Sequence, residues 1–578
     1  EVFSDTGKKL ILGKDLEIVG DLKIADLDGQ SKTLDMRQGE GTPTYNTLTI
    51  EKLWGNADWA IDLGKKNDTD FVADKIVLNG VEGGAKITLN AINLIDDPQL
   101  TTTGDTKTID GVVTDNVGSS VVVAYGLVAY GANYKYTVSL DGSGNLTLAY
   151  DGVNSDGFKE FVESGNTASY SFMGDTTLND AVTTGNGSGS DITKTVFFNN
   201  HKLQGSSTNG ITVANTHTMV MKGGTVTGFA TALNVESGGT LNLQNMTVTG
   251  NTTDVANAGT MNIGGNVTIG TLAGDGTTDI GMGAKLDLGS GSSQTLTQNF
   301  TGDGTLNFVG DATIAVKKLG TATNTVAGGK TLTFTNAVGA DAAEKTTLTK
   351  AVSGAGKIGI GNGTEIITDA GNLQVSEVDN AGTLKIKPAS GNETKINSLK
   401  TNITGATGSL ELHGFNEAHG TITQNTVTIS QNSTLDAYDT VTGNITNNGA
   451  AFFFVKDLQG DVTNSNSSTS FTAPGGSTLL NGLIALYTDT NNRTLEKTIT
   501  NGYIGIMGEV IADAEKLNGD VYIAGGHTLT VQGGSGTAKN VLKTIQGADE
   551  KLPGYGNGSL VTEGELDATL DKILMPFE

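Results

Sequence analysis

Between residues 238 and 339 the chain repeats one short pattern: GGTLNLQNMTVTG (238–250), AGTMNIGGNVTIG (258–270), GDGTLNFVGDATIAV (302–316) and GGKTLTFTNAV (328–338). Each copy is a small-residue turn followed by a run in which apolar and polar residues alternate. Leu241 and Leu243 point one way while Asn242 and Gln244 point the other, as a strand of period two requires. Met261 and Ile263 repeat this arrangement, and Val267 and Ile269 follow the next turn. Self-similarity at a period of about 20–25 residues marks a solenoid, whose core grows along one axis instead of enlarging. An all-β fold is expected.

The turns of such a solenoid need residues that tolerate unusual backbone angles. Here 82 glycines stand against 6 prolines, so Gly and Asn make the corners. Abundant Gly, Ser, Thr and Asn also suit disorder, but the regular Leu/Ile/Val/Phe alternation opposes that reading. The net charge of −26 and pI near 4.5 argue against a nucleic-acid partner, since phosphate binding needs clustered Lys or Arg. Arg37 and Arg493 are the only arginines, which leaves bidentate anion recognition almost without a donor. With no cysteine, zinc–thiolate sites, iron–sulfur clusters and cysteine nucleophiles are excluded, and the chain suits passage through an oxidising periplasm. No run of 18 or more apolar residues is present to span a membrane as a helix. The chain opens at Glu1 without a basic or apolar leader, which reads as a removed signal peptide or a fragment.

Four segments follow from the pattern. Residues 1–153 read as a β-helical unit with strands in 9–13, 16–27, 46–53, 71–80 and 85–95. A polar stretch (98–120) precedes three aromatic-rich strands. The last two of these flank DGSGN (141–145) as a hairpin, with Tyr134, Tyr136 and Tyr150 as a cap over the open end of the unit. Residues 154–189 read as a connector and second cap: Phe158, Phe161 and Val162 fall at helical spacing, and so do Leu178, Ala181 and Val182. Residues 190–545 form the main solenoid, on the order of 15–18 rungs, or roughly 70–90 Å at about 4.8 Å per rung. Residues 546–578 leave the pattern. There Leu566, Leu570, Ile573 and Leu574 take helical spacing, as a cap, a linker or an intersubunit contact.

Three stretches carry a family resemblance. DFVADKIVLNG (70–80) is similar to a motif that recurs late in the secreted, adhesin-type passenger domains of Gram-negative autotransporters. NYKYTVSLDGSGNLTLAY (133–150) looks like the aromatic hairpin of their autochaperone region, with Leu146 and Leu148 where the family often has Trp or Tyr. The Thr/Asn/Gly rungs of 190–545 resemble their generic middle. The resemblance implies a right-handed parallel β-helix, exported through the periplasm to the outer cell surface. The passenger-end features here precede the long solenoid, as the end of one β-helical unit followed by the start of another.

Candidate chemistry is sparse. The carboxylate pairs Asp96/Asp97 and Asp68/Asp70 sit in turns without a basic partner. His413 and His419, with Glu417 between them, are six apart, which fits neither a helical metal pair nor one face of a strand. Asp141, Ser143 and Asn145 mimic the start of a calcium loop, but Leu146 stands where its glycine should be, so a hairpin turn is the better reading. Trp54 and Trp59 fall on opposite faces of a strand, one inward and one outward. In AAFFFVKDL (450–458), alternation forces at least one of Phe452, Phe453 and Phe454 outward, under a loop or at a subunit contact. No cofactor is expected. The functional expectation is a non-enzymatic extracellular structural or adhesive protein, self-associating head to tail into filaments or attaching to a surface glycan or host receptor. A β-helical polysaccharide lyase or glycosidase is the alternative, favoured by carboxylates converging in a groove.

Overall fold

The computed structural model describes residues 10–11, 16–23, 32–35, 45–67, 70–117, 121–124, 126–154, 156–189, 191–206, 208–289, 293–335, 346–388, 394–467, 469–489, 493–532 and 559–563. Strand accounts for 57% of the chain and helix for 4%, which makes it an all-β protein built of long parallel sheets, consistent with a solenoid. Leu566, Leu570, Ile573, Leu574 and Asp68 lie outside the described residues.

The chain divides into two compact units, Glu1–Gly310 with Gly320–Thr323, and Asp311–Leu319 with Asn324–Glu578. The division falls inside segment 190–545. Residues 1–153 and 154–189 share the first unit.

The first unit opens with two parallel sheets. One runs through Lys32–Asp35, Ala57–Lys65 and Ile87–Leu94, the other through Leu16–Lys23, Thr47–Trp54 and Lys75–Leu78. In-register pairing places Leu34, Trp59 and Leu89 one above another. Trp59 is fully buried and Trp54 is 36% exposed. The two belong to different strands, Ala57–Lys65 and Thr47–Trp54, separated by a corner at Gly55, so they are not the two faces of one strand.

The hairpin of Tyr134–Leu140 and Leu146–Val153 forms as expected. Further strands flank it on both sides: Thr106–Ile109 pairs with Leu146–Val153, and Val128–Tyr130 pairs with Tyr134–Leu140. Val128–Tyr130 also pairs in parallel with Ala168–Ser171, so the sheet passes from antiparallel back to parallel at this strand. Ser169 Oγ and Ser171 Oγ accept the backbone N–H groups of Ile92 and Leu94, which ties the early strands to the later coils.

Helix Gly157–Glu163 buries Phe158, Phe161 and Val162, the face its spacing predicts. Residues 176–185, expected as a helical turn, are instead two short strands, Thr176–Leu178 and Val182–Thr183. A strand–bend–strand corner puts Leu178 and Val182 inside a coil just as a helical turn would, so their spacing alone cannot separate the two.

The coils then stack in register. Met219 sits beneath Leu241 and Leu241 beneath Met261, with Met221, Leu243 and Ile263 alongside. All six are at most 2% exposed. Burying each such side chain is worth about 1.5–3 kcal/mol. Inward amides hydrogen-bond from coil to coil: Gln298 Oε1 accepts from Asn257 Nδ2 at 2.8 Å, and its Nε2 donates to the Asn257 carbonyl at 2.8 Å. The second unit repeats this device with Asn380 Nδ2 donating to Gln424 Oε1 at 2.6 Å, and Asn447 Nδ2 to Asn464 Oδ1 at 2.9 Å.

Lys194 is one of several charged side chains in the interior, with Lys222, Asp74 and Asp254. It is fully buried, its Nζ donates to Ser164 Oγ and to the Asn166 carbonyl, and it lies 5.3 Å from the Phe161 ring centre. Burial holds its pKa down to about 7 from 10.5. The unfolded chain therefore binds a proton at Lys194 that the folded chain lacks between these values, so this residue makes stability rise with pH across that window. Wild-type protein is expected to gain on the order of 2 kcal/mol between about pH 7 and 9.5 from this group, and Lys194→Met to lose that gain. Urea unfolding at the two pH values reads the difference, and an unchanged slope in the variant would contradict it.

Candidate functional site

In the second unit, parallel strands Ile396–Leu399, Phe415–Ala418, Thr434–Ala437, Ala450–Phe454 and Leu483–Tyr487 stack in register. Alternation sorts their side chains. Leu435, Ala437, Ala451, Phe453, Ile484 and Leu486 are buried inward, while Phe415, Glu417, Asp436, Phe452, Phe454 and Tyr487 occupy the outward positions. Two of the three consecutive phenylalanines thus face out, in agreement with the alternation argument.

A hairpin covers part of this outward face. Strands Ser470–Thr472 and Thr478–Leu480 pair antiparallel. Pro474 presets the turn, and Gly475 and Gly476, at φ 88° and 87°, close it as only glycine does easily. Phe471 of the hairpin stacks on Phe415 at 6.5 Å between ring centres. Leu480 packs with Ala450, Leu483 and Tyr522 in a small apolar cluster of its own.

Between hairpin and sheet lies a groove of about 310 Å³. Phe415, Phe452, Tyr487, Pro474 and Leu479 form its walls, with Glu417 and Asp436 among them. A second hollow of about 230 Å³ continues past Tyr438 and Phe454, sharing Asp436, Phe452 and Tyr487. The first is at the lower end of ligand-pocket size.

Glu417 and Asp436 are opposite one another on adjacent strands, and Phe452 follows on the next. Burial first, and the Glu417 charge second, push the Asp436 carboxyl up to about 6. Glu417 Oε2 lies 3.5 Å from His419 Nε2, and the His419 ring stacks on the 54%-exposed Tyr438 at 4.7 Å. Burial, and then Asp436, raise the Tyr487 phenol. The groove thus offers flat apolar ring faces beside hydrogen-bond acceptors. No lysine or arginine is among its described lining residues.

The other sequence candidates have structural partners. Asp97 is buried and accepts from Tyr136 Oη and the Gln99 N–H, and Asp96 accepts the Lys65 N–H. Tyr134 and Tyr150 meet edge to face at 6.0 Å. Asp70 N–H donates to Asn67 Oδ1 in a turn. Asp141 accepts the N–H groups of Ser143 and Asn145 and the Asn145 amide, so this loop is a hairpin turn, as its sequence predicts. His413 pairs with Glu411 at 2.8 Å and His419 with Glu417, so the two rings serve different partners. Among the described residues no group of three His, Cys, Asp or Glu is placed to hold a metal.

Asp436, Tyr438 and Tyr487 were missed from the sequence, and Glu417 was noted only as lying between two histidines. The usable signal was PGG at 474–476, a turn marker one coil after the phenylalanine run. No protein-family model, no curated protein and no solved structure matches the chain.

Proposed function

We propose that the chain is a non-enzymatic attachment protein of the outer cell surface, each unit a right-handed parallel β-helix, and that the groove of the second unit holds a surface glycan. The observation that carries this is the outward pair Phe452 and Tyr487 flanking Asp436 beneath the 470–480 hairpin. A sugar ring has an apolar C–H face and a rim of hydroxyl donors. The first suits an aromatic face, and the second suits carboxylate acceptors. The resemblance to exported passenger domains supports the same location and handedness.

Binding to an immobilised glycan array tests the reading. Phe452→Ala and Tyr487→Ala are each expected to weaken the wild-type signal about 10-fold, with unchanged far-UV circular dichroism. Wild-type binding by both variants would overturn it.

The facing carboxylates favour a second reading, glycoside hydrolysis. Neighbouring strands lie about 4.8 Å apart, close to the carboxyl separation of roughly 5–5.5 Å in retaining enzymes. Asp436, whose carboxyl is raised to about 6, would be the acid and Glu417 the nucleophile. Release of reducing ends from a bound oligosaccharide, abolished in Asp436→Asn, would establish turnover. Intact recovery of the oligosaccharide leaves attachment.

A further inference from the structure

We infer that the groove selects a sugar bearing a free amine, with its ammonium between Glu417 and Asp436 and its ring on Phe452 or Tyr487. This rests on the glycan reading and specifies the class of glycan.

The argument is charge complementarity inside a walled groove. The two carboxylates are direct neighbours across adjacent strands. Water is partly excluded by the aromatic walls and by the 470–480 hairpin, which carries no titratable residue. Like charges so placed repel one another, and burial adds to the cost of ionising them. Both effects act on Asp436.

The charged groups on the surrounding strands leave this imbalance in place. Lys395 and Lys400 bound the outermost strand, outside the described lining of the groove. Lys456 is engaged by Asp489 at 2.9 Å, and His419 leans on Glu417. Asp439 and Asp457 add further negative charge beyond Tyr438 and Phe454.

A cation in the groove relieves both the repulsion and the desolvation. An ammonium also gains from the face of an adjacent ring. A neutral sugar can donate hydroxyls to the carboxylates but leaves their repulsion uncompensated. An anionic sugar such as a uronate adds a third negative charge. An amino sugar matches both halves of the site, with an apolar ring face for the aromatic wall and a charged donor for the acid pair.

The test compares three short oligosaccharides by titration calorimetry at about pH 7, where an Asp436 pKa near 6 leaves the carboxylate mostly ionised. These are a glucosamine oligomer, its N-acetylated counterpart and a uronate oligomer. The expected result is at least about 10-fold tighter binding of the free amine than of the N-acetylated form, with the uronate weakest. Glu417→Gln and Asp436→Asn are each expected to shrink that preference. Either variant removes a charge from a repelling pair, so neither threatens folding. Equal binding of amine and N-acetyl forms would overturn the amine inference and leave the glycan reading standing. A preference unchanged in both variants would trace it to the overall charge of the protein and would also overturn the inference. Binding of none of the three would overturn both.

Discussion

Gly460→Ala is expected to destabilise the second unit by about 3–5 kcal/mol. A Cβ at this position would stand 1.6 Å from the Gly443 carbonyl oxygen. That oxygen is backbone and cannot rotate away. Gly443 is packed the same way one coil further back, since a Cβ there would meet the Gln424 carbonyl oxygen at 1.9 Å. Three successive coils therefore pass backbone over backbone at this corner. Relief would require separating strands whose pairing, Val441 with Leu458 and Ile445 with Val462, builds the sheet on either side. Urea unfolding followed by far-UV circular dichroism reads the loss. A change below about 1 kcal/mol would show that the corner has slack, contrary to the packing described.

Trp59→Ala is expected to cost the first unit about 3–5 kcal/mol. Trp59 is the largest fully buried side chain there and lies between Leu34 and Leu89 in consecutive coils. A solenoid core is only one coil wide at each level, so few neighbours are free to close over the cavity. The chain has two tryptophans, and the substitution leaves Trp54. Its half-exposed ring, with Lys52 Nζ 5.5 Å from the centre, then reports the unfolding of the first unit alone. Trp59→Phe fills most of the space and should recover most of the loss. Equal transitions for wild type and the alanine variant would contradict the stacking of Leu34, Trp59 and Leu89.

These effects show why the fold was legible in the sequence and the site largely was not. Period-two alternation is a local property: Leu241 and Leu243 declare their face without reference to any other strand, and Met261 and Ile263 confirm the repeat. Phe158, Phe161 and Val162 declared a helix by the same local logic. Leu178 and Val182 misled because a corner between two very short strands has the spacing of a helical turn. The strands of 98–120 were hidden by their polarity, since Thr106–Ile109 exposes Thr106 and Thr108 and buries only Ile109.

The groove depends on register instead. Glu417 and Asp436 become neighbours only when Phe415–Ala418 is laid in step beside Thr434–Ala437. Coil lengths vary here, with Asp436 followed by Phe452 and then Ala485 in the same outward column. The longest of these steps contains the hairpin that roofs the groove. The departure from the repeat is thus where the candidate site lies. The alternation did require at least one of Phe452, Phe453 and Phe454 to face outward, which was the one part of the site the local pattern could reveal.

The most direct test of attachment through this groove is saturation-transfer NMR of the intact protein with a glucosamine oligomer. The account predicts strong transfer to protons on one face of the sugar ring, lost in Phe452→Ala and in Tyr487→Ala. No transfer to any sugar proton, or transfer that survives both substitutions, would contradict it.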